Sequence, residues 1–288
     1  MHNIKVIKAD GSVEAFNPAK LISSLVSAGA NESDANKILE IVWQEVEGQT
    51  LPTQKIYKRA FKHLHEMEHP AASRYSLRRA ILELGPDGFA FEKFFAEILK
   101  KRGFSTEVDQ MVYGRCVAHE IDIVAWKGDA ELVMVEAKFH NEYGFKTDLK
   151  VVLYVKARYE DLAFGEFFYG EKKRKLNEGW LVTNTKFTES AIRYAVCNNM
   201  KVIGWNYPAE GNLQKMIEES GLRPISSIPS LSRAEVKEFI NAGIVTCNDT
   251  ELVGSFLKGL GVNEEKIELA KKEALLMCST QSIDKNDY

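Results

Sequence analysis

Several features that define large protein classes are missing from this 288-residue sequence. It has four cysteines and no Cys-x-x-Cys pair, which excludes a zinc ribbon and a thioredoxin-like motif. No apolar run approaches the roughly 20 residues of a membrane span, and no signal-peptide core is present. We therefore expect a cytoplasmic protein with no membrane partner and with reduced, mostly buried thiols. An excess of positive charge is also missing, because the net charge is −3.

Turn signals divide the sequence into three blocks, which predict three domains over residues 1–85, 86–210 and 211–288. The first block opens with a hairpin and continues with helices. The middle block has the order α-β-β-β-α-β-α-β, which predicts an α/β (α+β) fold with a mixed sheet flanked by helices. The third block predicts a small helical domain that ends in a polar, disordered tail.

The most informative stretch is a predicted hairpin over residues 119–138, built from two very apolar strands. If its turn centres on residue 129, Asp122 lies opposite Glu136, with Cβ atoms about 5 Å apart on one face. Lys138 follows Glu136 by two residues and shares that face. A slip of one residue in the register would move Asp122 to the opposite face.

Three charged groups at one spot on apolar strands need compensation, because burying them costs several kcal/mol. A divalent cation supplies it, since Mg²⁺ is typically held by one or two carboxylates together with a phosphate. Lys138 beside the cation can orient or deprotonate the attacking water. This arrangement suits metal-assisted hydrolysis of a phosphodiester. The alternative is a buried ion-pair network of Asp122, Glu136 and Lys138 without a catalytic role.

The pattern Asp122-x13-Glu136-x-Lys138 resembles the PD-(D/E)xK nuclease signature. Its surroundings resemble Mrr-type, restriction-endonuclease-like proteins over residues 89–207, with Phe91-Glu-Lys-Phe-Phe95 upstream and Leu181-Val-Thr-Asn-Thr downstream. The resemblance implies that Asp122 and Glu136 bind Mg²⁺ or Mn²⁺ and that Lys138 is the catalytic lysine. Glu92 is implied as an accessory catalytic acid; alternatively it is a solvated residue of its helix. Many Mrr-type members have glutamine in place of Glu136.

One dense basic cluster follows the hairpin, formed by Lys172, Lys173, Arg174 and Lys175. In a domain without excess positive charge, this cluster would be the main contact with a DNA backbone. A solvated loop is the alternative, and the two interpretations stand level.

The N-terminal block resembles an ATP-cone, a nucleotide-sensing domain, over residues 3–84. The likeness rests on Val6-Ile-Lys-Ala-Asp-Gly11 and on residues 14–21. It implies that ATP or dATP acts as an allosteric ligand, near Lys8, Glu14, Asn17 and Lys20. Lysines at a hairpin and at a helix N-terminus suit a triphosphate. Ala9 replaces the arginine that the family usually has, which removes one phosphate contact, and a helical oligomerisation domain is the alternative.

The sequence thus predicts a metal-dependent DNA endonuclease of restriction or DNA-defence type, regulated by nucleotide and acting as a homo-oligomer, most simply a dimer. Two alternatives remain open. One is a nucleotide-sensing DNA-binding regulator with an inactive nuclease fold. The other is a structure-selective repair nuclease similar to a junction resolvase. The third block faintly resembles a helix-hairpin-helix over residues 231–246, although packing or dimerisation would explain it equally well.

Overall fold

The structure is a computed structural model of the chain, and it describes residues 4–7, 12–27, 30–67, 77–85, 88–129, 131–142 and 144–279. The chain divides into two compact units, Met1–Arg79 and Ala80–Tyr288. The helices that follow residue 211 fall within the second unit. The predicted disordered tail lies outside the described residues from residue 280 onward.

The first unit combines three short strands with helices. Strand β1 pairs antiparallel with β2 and parallel with β3, which gives a sheet of order β2-β1-β3. Strand β3 was not predicted from the sequence. The bounds are β1 Lys5–Ile7, β2 Val13–Ala15, α1 Pro18–Ser27, α2 Glu32–Val46, β3 Thr50–Pro52 and α3 Thr53–Met67, followed by a helical segment α4 over residues 77–82.

Helix starts in this unit follow the capping residues in the sequence. Helix α1 begins at Pro18, and the Asn17 side-chain oxygen accepts a 3.4 Å hydrogen bond from the Lys20 amide. At α2, Asn31 caps the Asp34 amide in the same way. The predicted Asp10-Gly11 turn lies outside the described residues.

The second unit is built around a five-stranded sheet. Its elements are α5 Phe89–Lys101, β4 Ser105–Tyr113, β5 Ala118–Lys127, β6 Glu131–Lys138, β7 Lys146–Thr147, α6 Leu149–Leu162, β8 Glu166–Tyr169, β9 Lys172–Lys175, β10 Glu178–Thr183, β11 Lys186–Phe187, α7 Glu189–Cys197, β12 Lys201–Ile203, α8 Leu213–Ser220, α9 Arg233–Asn241, α10 Thr250–Gly259 and α11 Glu264–Ser279.

The main sheet has the order β12-β10-β6-β5-β4. Strands β4, β5 and β6 are antiparallel neighbours, whereas β6, β10 and β12 run parallel. The sheet is therefore mixed, and the predicted fold class is confirmed. Two small ribbons, β7–β11 and β8–β9, were not predicted from the sequence.

Helices cover the main sheet on both faces. On one face, α6 and α7 pack on a core that includes Val124, Met134 and Leu181. The alternating strand residues, such as Ile123 and Val135, are also fully buried, and α5 contacts β4 and β5. Because side chains alternate along a strand, both faces of β5 and β6 are apolar, and a charged residue there stands out.

Among the described residues, no helix is both long and apolar enough to cross a membrane. The cysteines only partly follow expectation: Cys116, Cys197 and Cys247 are free thiols, but only Cys247 is buried. Cys116 lies in the turn after β4 and Cys197 ends α7. Because both positions are at the ends of elements, their side chains face solvent, and the expected burial was wrong for them.

Candidate active site

The β5–β6 hairpin carries the predicted acidic pair. Its register places Ile123 opposite Val135, as a turn centred on residue 129 requires. The predicted register is therefore confirmed. One further step in the same register places Asp122 opposite Glu136, at the point where the ladder between the two strands ends.

The Asp122 carboxylate is half-buried beside the backbone of the neighbouring strand. Its Oδ2 atom accepts a 2.6 Å hydrogen bond from the Ala137 amide. Burial raises the pKa of Asp122, while the Ala137 amide and the Arg158 guanidinium oppose that rise. The amide bond fixes one carboxylate oxygen in place, and Oδ1 accepts no hydrogen bond from the described part of the chain.

The Glu136 carboxylate faces helix α6. Arg158 of that helix donates from Nη1 to Glu136 Oε2 at 2.6 Å, and the two side chains are only 10% and 20% exposed. Burial, and then the charge of Asp122, raise the pKa of Glu136 to about 7, although Arg158 and Lys138 act to lower it. A carboxylate this crowded is poorly compensated by one arginine.

Lys138 is the last residue of β6, and its side chain is exposed. It lies opposite the buried Thr183 of β10 in the parallel ladder. Its positive charge lowers the pKa of both Glu136 and His140. The charge of Lys138 therefore acts on Glu136, and the Lys138 side chain is open to solvent.

Glu92 comes from the other direction, in the first turn of α5. Burial raises the pKa of Glu92 to about 8, and the charges of Asp122 and Glu136 contribute to that rise. The structure thus brings Glu92 toward the acidic pair. At pH 7 this group is mostly protonated, so it adds little further negative charge to the site.

Two residues near the site were missed by sequence reasoning. Arg158 was missed because nothing in a helical sequence tells which strand residue it will contact. Asp109 lies in β4 opposite Asp122 and interrupts the β4–β5 ladder with a φ of 55°. A positive φ is uncommon outside glycine, although aspartate tolerates it better than most residues. The charge of Asp109 raises the pKa of Asp122.

The donor set fits a hard divalent cation. No group of three or more His, Cys, Asp or Glu side chains among the described residues is arranged as a complete metal cage. Mg²⁺ rarely uses such a cage, because it keeps water and takes phosphate oxygens beside one or two carboxylates. Asp122 and Glu136 could supply two such oxygen ligands; burial is the main cause of their raised pKa values, and neighbouring carboxylates add to the rise. A cation between them would relieve that repulsion.

Comparison with known proteins shows the family of this chain. Residues 85–207 match the family model for restriction endonucleases, Mrr_cat, and residues 4–83 match the ATP cone domain model. An uncharacterized protein of Archaeoglobus fulgidus is 36% identical over 180 residues, which cover 62% of this chain and 97% of that protein. The chain belongs to the Mrr-type restriction-endonuclease-like family. It carries an ATP-cone domain before its nuclease-like domain.

Solved structures add two further similarities. The crystal structure of AF1548, a protein of unknown function, has a TM-score of 0.54 and 32% sequence identity. That similarity covers 66% of this chain and 98% of AF1548. The MspJI restriction endonuclease in complex with a 27-mer oligonucleotide has a TM-score of 0.30 and 14% identity, and covers 52% of this chain and 35% of that one.

The basic cluster of the Mrr-type domain forms strand β9 rather than a loop. Arg174 is only 5% exposed, and its Nε atom donates a 2.9 Å hydrogen bond to the Tyr169 carbonyl. Lys172 forms an ion pair with Asp129. Because strand side chains alternate, the run cannot present all four charges outward. Arg174 is thus unable to reach DNA, and the exposed Lys173 and Lys175 remain.

In the ATP-cone domain the structure describes three of the four predicted nucleotide contacts. Glu14 lies in β2, Asn17 precedes α1, and Lys20 lies in the first turn of α1; all three are exposed. The fourth, Lys8, lies outside the described residues. The three described residues follow one another along β2 and the start of α1, and their role in nucleotide binding stays a prediction.

Replacing Glu92 with glutamine should stabilise the protein at high pH. Folding raises the pKa of Glu92 from its usual value of about 4.5 to about 8. The free energy of unfolding of the protein therefore falls as the pH rises between these two values, because the carboxyl ionises more readily in the unfolded chain. The amide has no such loss. After allowance for solvent screening we expect a gain of about 1 kcal/mol at pH 8.5, or roughly 2–4 °C in melting temperature, with less gain at pH 5.

Thermal melts at the two pH values measure this difference. The matched control is Glu97→Gln on the same helix, because the Glu97 carboxylate pairs with Lys100 at the surface. An equal shift for Glu92→Gln at pH 5 and pH 8.5 would contradict the burial of this carboxyl beside the acidic pair.

Proposed function

We propose that this protein is a Mg²⁺-dependent DNA endonuclease. The observation that carries the proposal is the meeting of two half-buried carboxylates, Asp122 and Glu136, with the exposed ammonium of Lys138 at one end of the sheet. Membership in the restriction-endonuclease-like family supports the same chemistry and a restriction or DNA-defence role.

In this proposal Asp122 and Glu136 hold the cation. The Ala137 amide and Arg158 each fix one oxygen of these carboxylates, which leaves the other oxygen of each free to bind. The bound ion would polarise the scissile phosphate and activate water. Lys138 would act in one of two ways: as an ammonium it would orient that water and offset the charge that develops on the phosphate, or as the neutral amine it would take the proton of the water and become the ammonium.

A cleavage assay tests the proposal directly. The purified protein is incubated with plasmid in Mg²⁺ or in EDTA, alongside Asp122→Ala. We expect nicked or linear DNA only from the wild type in Mg²⁺ or Mn²⁺. Equal cleavage by Asp122→Ala would indicate a contaminating nuclease. If no sample cleaved DNA, the result would favour a DNA-binding regulator with an inactive nuclease fold. Branched DNA in parallel tests for a junction resolvase.

We also propose that the DNA backbone contacts the β8–β9 ribbon through Lys173 and Lys175. Both side chains are exposed on β9, one residue on either side of the buried Arg174. Lys173→Ala should weaken binding about equally for all DNA sequences and reduce the slope of log affinity against log salt by about one. Lys258→Ala, an exposed lysine at the end of α10, is the control. An unchanged salt slope would exclude Lys173 from the interface.

We propose that the ATP-cone domain binds ATP or dATP and that the ligand alters cleavage. Helix α1 begins at Pro18, its N-terminal dipole favours negative charge, and the exposed Lys20 adds a positive charge in the first turn. We propose further that cutting both strands of a duplex uses a homodimer.

ATP should therefore stabilise the wild type against unfolding and raise its melting temperature. The stabilisation should reach about 2.7 kcal/mol when the ATP concentration is a hundred times the dissociation constant. Lys20→Ala should need more ATP for the same shift. Lys37→Ala, an exposed lysine paired with Asp34, should not differ from the wild type. A melting temperature that does not change with ATP concentration would contradict nucleotide binding by the ATP-cone domain.

A further inference from the structure

An open cavity of about 480 Å³ lies between the start of β5 and helix α6. This volume is within the range of about 300–1,000 Å³ that is usual for small-molecule sites. We call it the α6 groove, and its defining residues are Arg115, Cys116, His119, Tyr154, Arg158 and Phe164. No residue proposed above for catalysis lines it.

Two aromatic rings in the α6 groove are unusually open to solvent. Phe164 is 72% exposed and Tyr154 is 62% exposed. Each ring has a guanidinium above it: Arg115 lies 5.2 Å from the centre of Phe164, and Arg158 lies 5.5 Å from the centre of Tyr154. Stacked arginines and free aromatic faces together form a surface suited to a planar ring that carries a phosphate.

One wall of the groove is held rigidly by Asp161 of α6. Its carboxylate accepts hydrogen bonds from the amides of Cys116 at 2.8 Å and Val117 at 3.3 Å, and it pairs with His119 Nε2 at 2.8 Å. A Cβ atom on Gly114 would overlap this carboxylate, so glycine is required there. These bonds, chiefly the one to His119, hold the pKa of Asp161 at about 2. Asp161 therefore stays ionised, with its oxygens occupied by these donors. Glu160, the other carboxylate that lines the groove, pairs with Lys156 at 3.4 Å.

Arg158 connects the α6 groove to the acidic pair. The same side chain lines the groove and donates to Glu136. A nucleotide in the groove would therefore lie one side chain away from the carboxylates, and the strand that carries it could continue across them.

We propose that the α6 groove binds an unpaired nucleotide of the DNA strand that is to be cut, with its base stacked on Phe164 and Tyr154 and a phosphate at Arg115. The base must be unpaired, because the faces of paired bases are hidden in the duplex stack. This inference rests on the proposed function for its ligand, and it adds a substrate class: DNA with single-stranded character next to the cleaved bond.

Binding measured in EDTA tests the groove without cleavage. Fluorescence anisotropy of the full-length protein uses a labelled oligothymidylate and a blunt duplex of equal length. Phe164→Ala should weaken binding of the single strand on the order of tenfold and change duplex binding far less. Leu275→Ala is the control, since Leu275 is an apolar side chain that is 61% exposed on α11, outside both the groove and the β8–β9 ribbon. Phe164→Trp should restore binding, and Arg115→Ala should lower the salt slope by about one.

The outcomes separate this inference from the nuclease proposal. If Phe164→Ala binds the single strand as well as the wild type does, or weakens both DNA forms equally, the groove inference is overturned even if the protein cuts DNA. If the wild type binds through Phe164 but cuts no DNA, the nuclease proposal fails and the groove site stands. If thymidine monophosphate bound as tightly as the oligonucleotide, the groove inference would also be overturned, because the ligand would then be a free nucleotide.

Discussion

We expect Lys138→Ala to lower the rate of the proposed DNA cleavage at least about 100-fold and to leave the protein folded. The expected loss has the size of a missing acid–base group or of a missing charge on a transition state. Because the Lys138 side chain is exposed, we expect its removal to change stability by no more than about 0.5 kcal/mol. Single-turnover cleavage measures the rate, and circular dichroism confirms the fold.

Lys138→Arg separates the two roles of this lysine. Arginine keeps the positive charge but does not give up a proton in proteins. If Lys138 acts as a base, the arginine variant is nearly as slow as the alanine variant; if it acts by charge alone, the arginine variant recovers much of the rate. Lys258→Ala serves as the control lysine. Full activity of Lys138→Ala would remove this residue from the mechanism.

We expect Gly179→Ala to destabilise the second unit by about 3 kcal/mol and to abolish the proposed cleavage with it. Gly179 lies in β10 directly under the ring of Tyr159, and an added Cβ would lie far inside van der Waals contact with three ring atoms. Tyr159 is buried, and its hydroxyl donates a 2.6 Å hydrogen bond to the Trp180 carbonyl. Overpacking at such a contact costs several kcal/mol because neither backbone nor ring can yield freely.

The expected loss of DNA cleavage has a geometric cause. A displaced Tyr159 moves α6, and Arg158 is the preceding residue of that helix, so the bond to Glu136 is lengthened or lost. Urea unfolding measures the stability change. Gly144→Ala is the control, because no atom lies within 4 Å of its added Cβ, and it should be neutral within about 0.5 kcal/mol. Similar unfolding midpoints for the two variants would show that β10 and α6 are not packed this tightly.

The sequence predicts the acidic hairpin well, for a simple reason. Two apolar strands joined by a short polar turn have few possible registers, and a slip would bury the wrong face of each strand. The register of Ile123 with Val135 follows from that constraint alone. The helices on both sides of the sheet were predicted for a similar reason, since their apolar residues recur with a helical period.

The surroundings of the acidic pair were less predictable. Arg158 contacts Glu136 across 22 positions of sequence, and which face of α6 meets the sheet depends on tertiary packing. The left-handed backbone at Asp109 carries no sequence signal beyond the tolerance of aspartate for it. The basic run was interpreted either as a DNA contact or as a solvated loop, and only the structure shows that it pairs with β8 and that Arg174 is buried.

The measurement that tests the central claim most directly is an anomalous difference map from crystals of the full-length protein grown with Mn²⁺ and uncleaved DNA. The account predicts a manganese peak between Asp122 and Glu136, with one oxygen of each carboxylate within about 2.2 Å. The same peak should be absent from crystals of Asp122→Asn. Manganese bound elsewhere, with Glu136 still paired only to Arg158, would contradict a two-carboxylate metal site and the nuclease mechanism built on it.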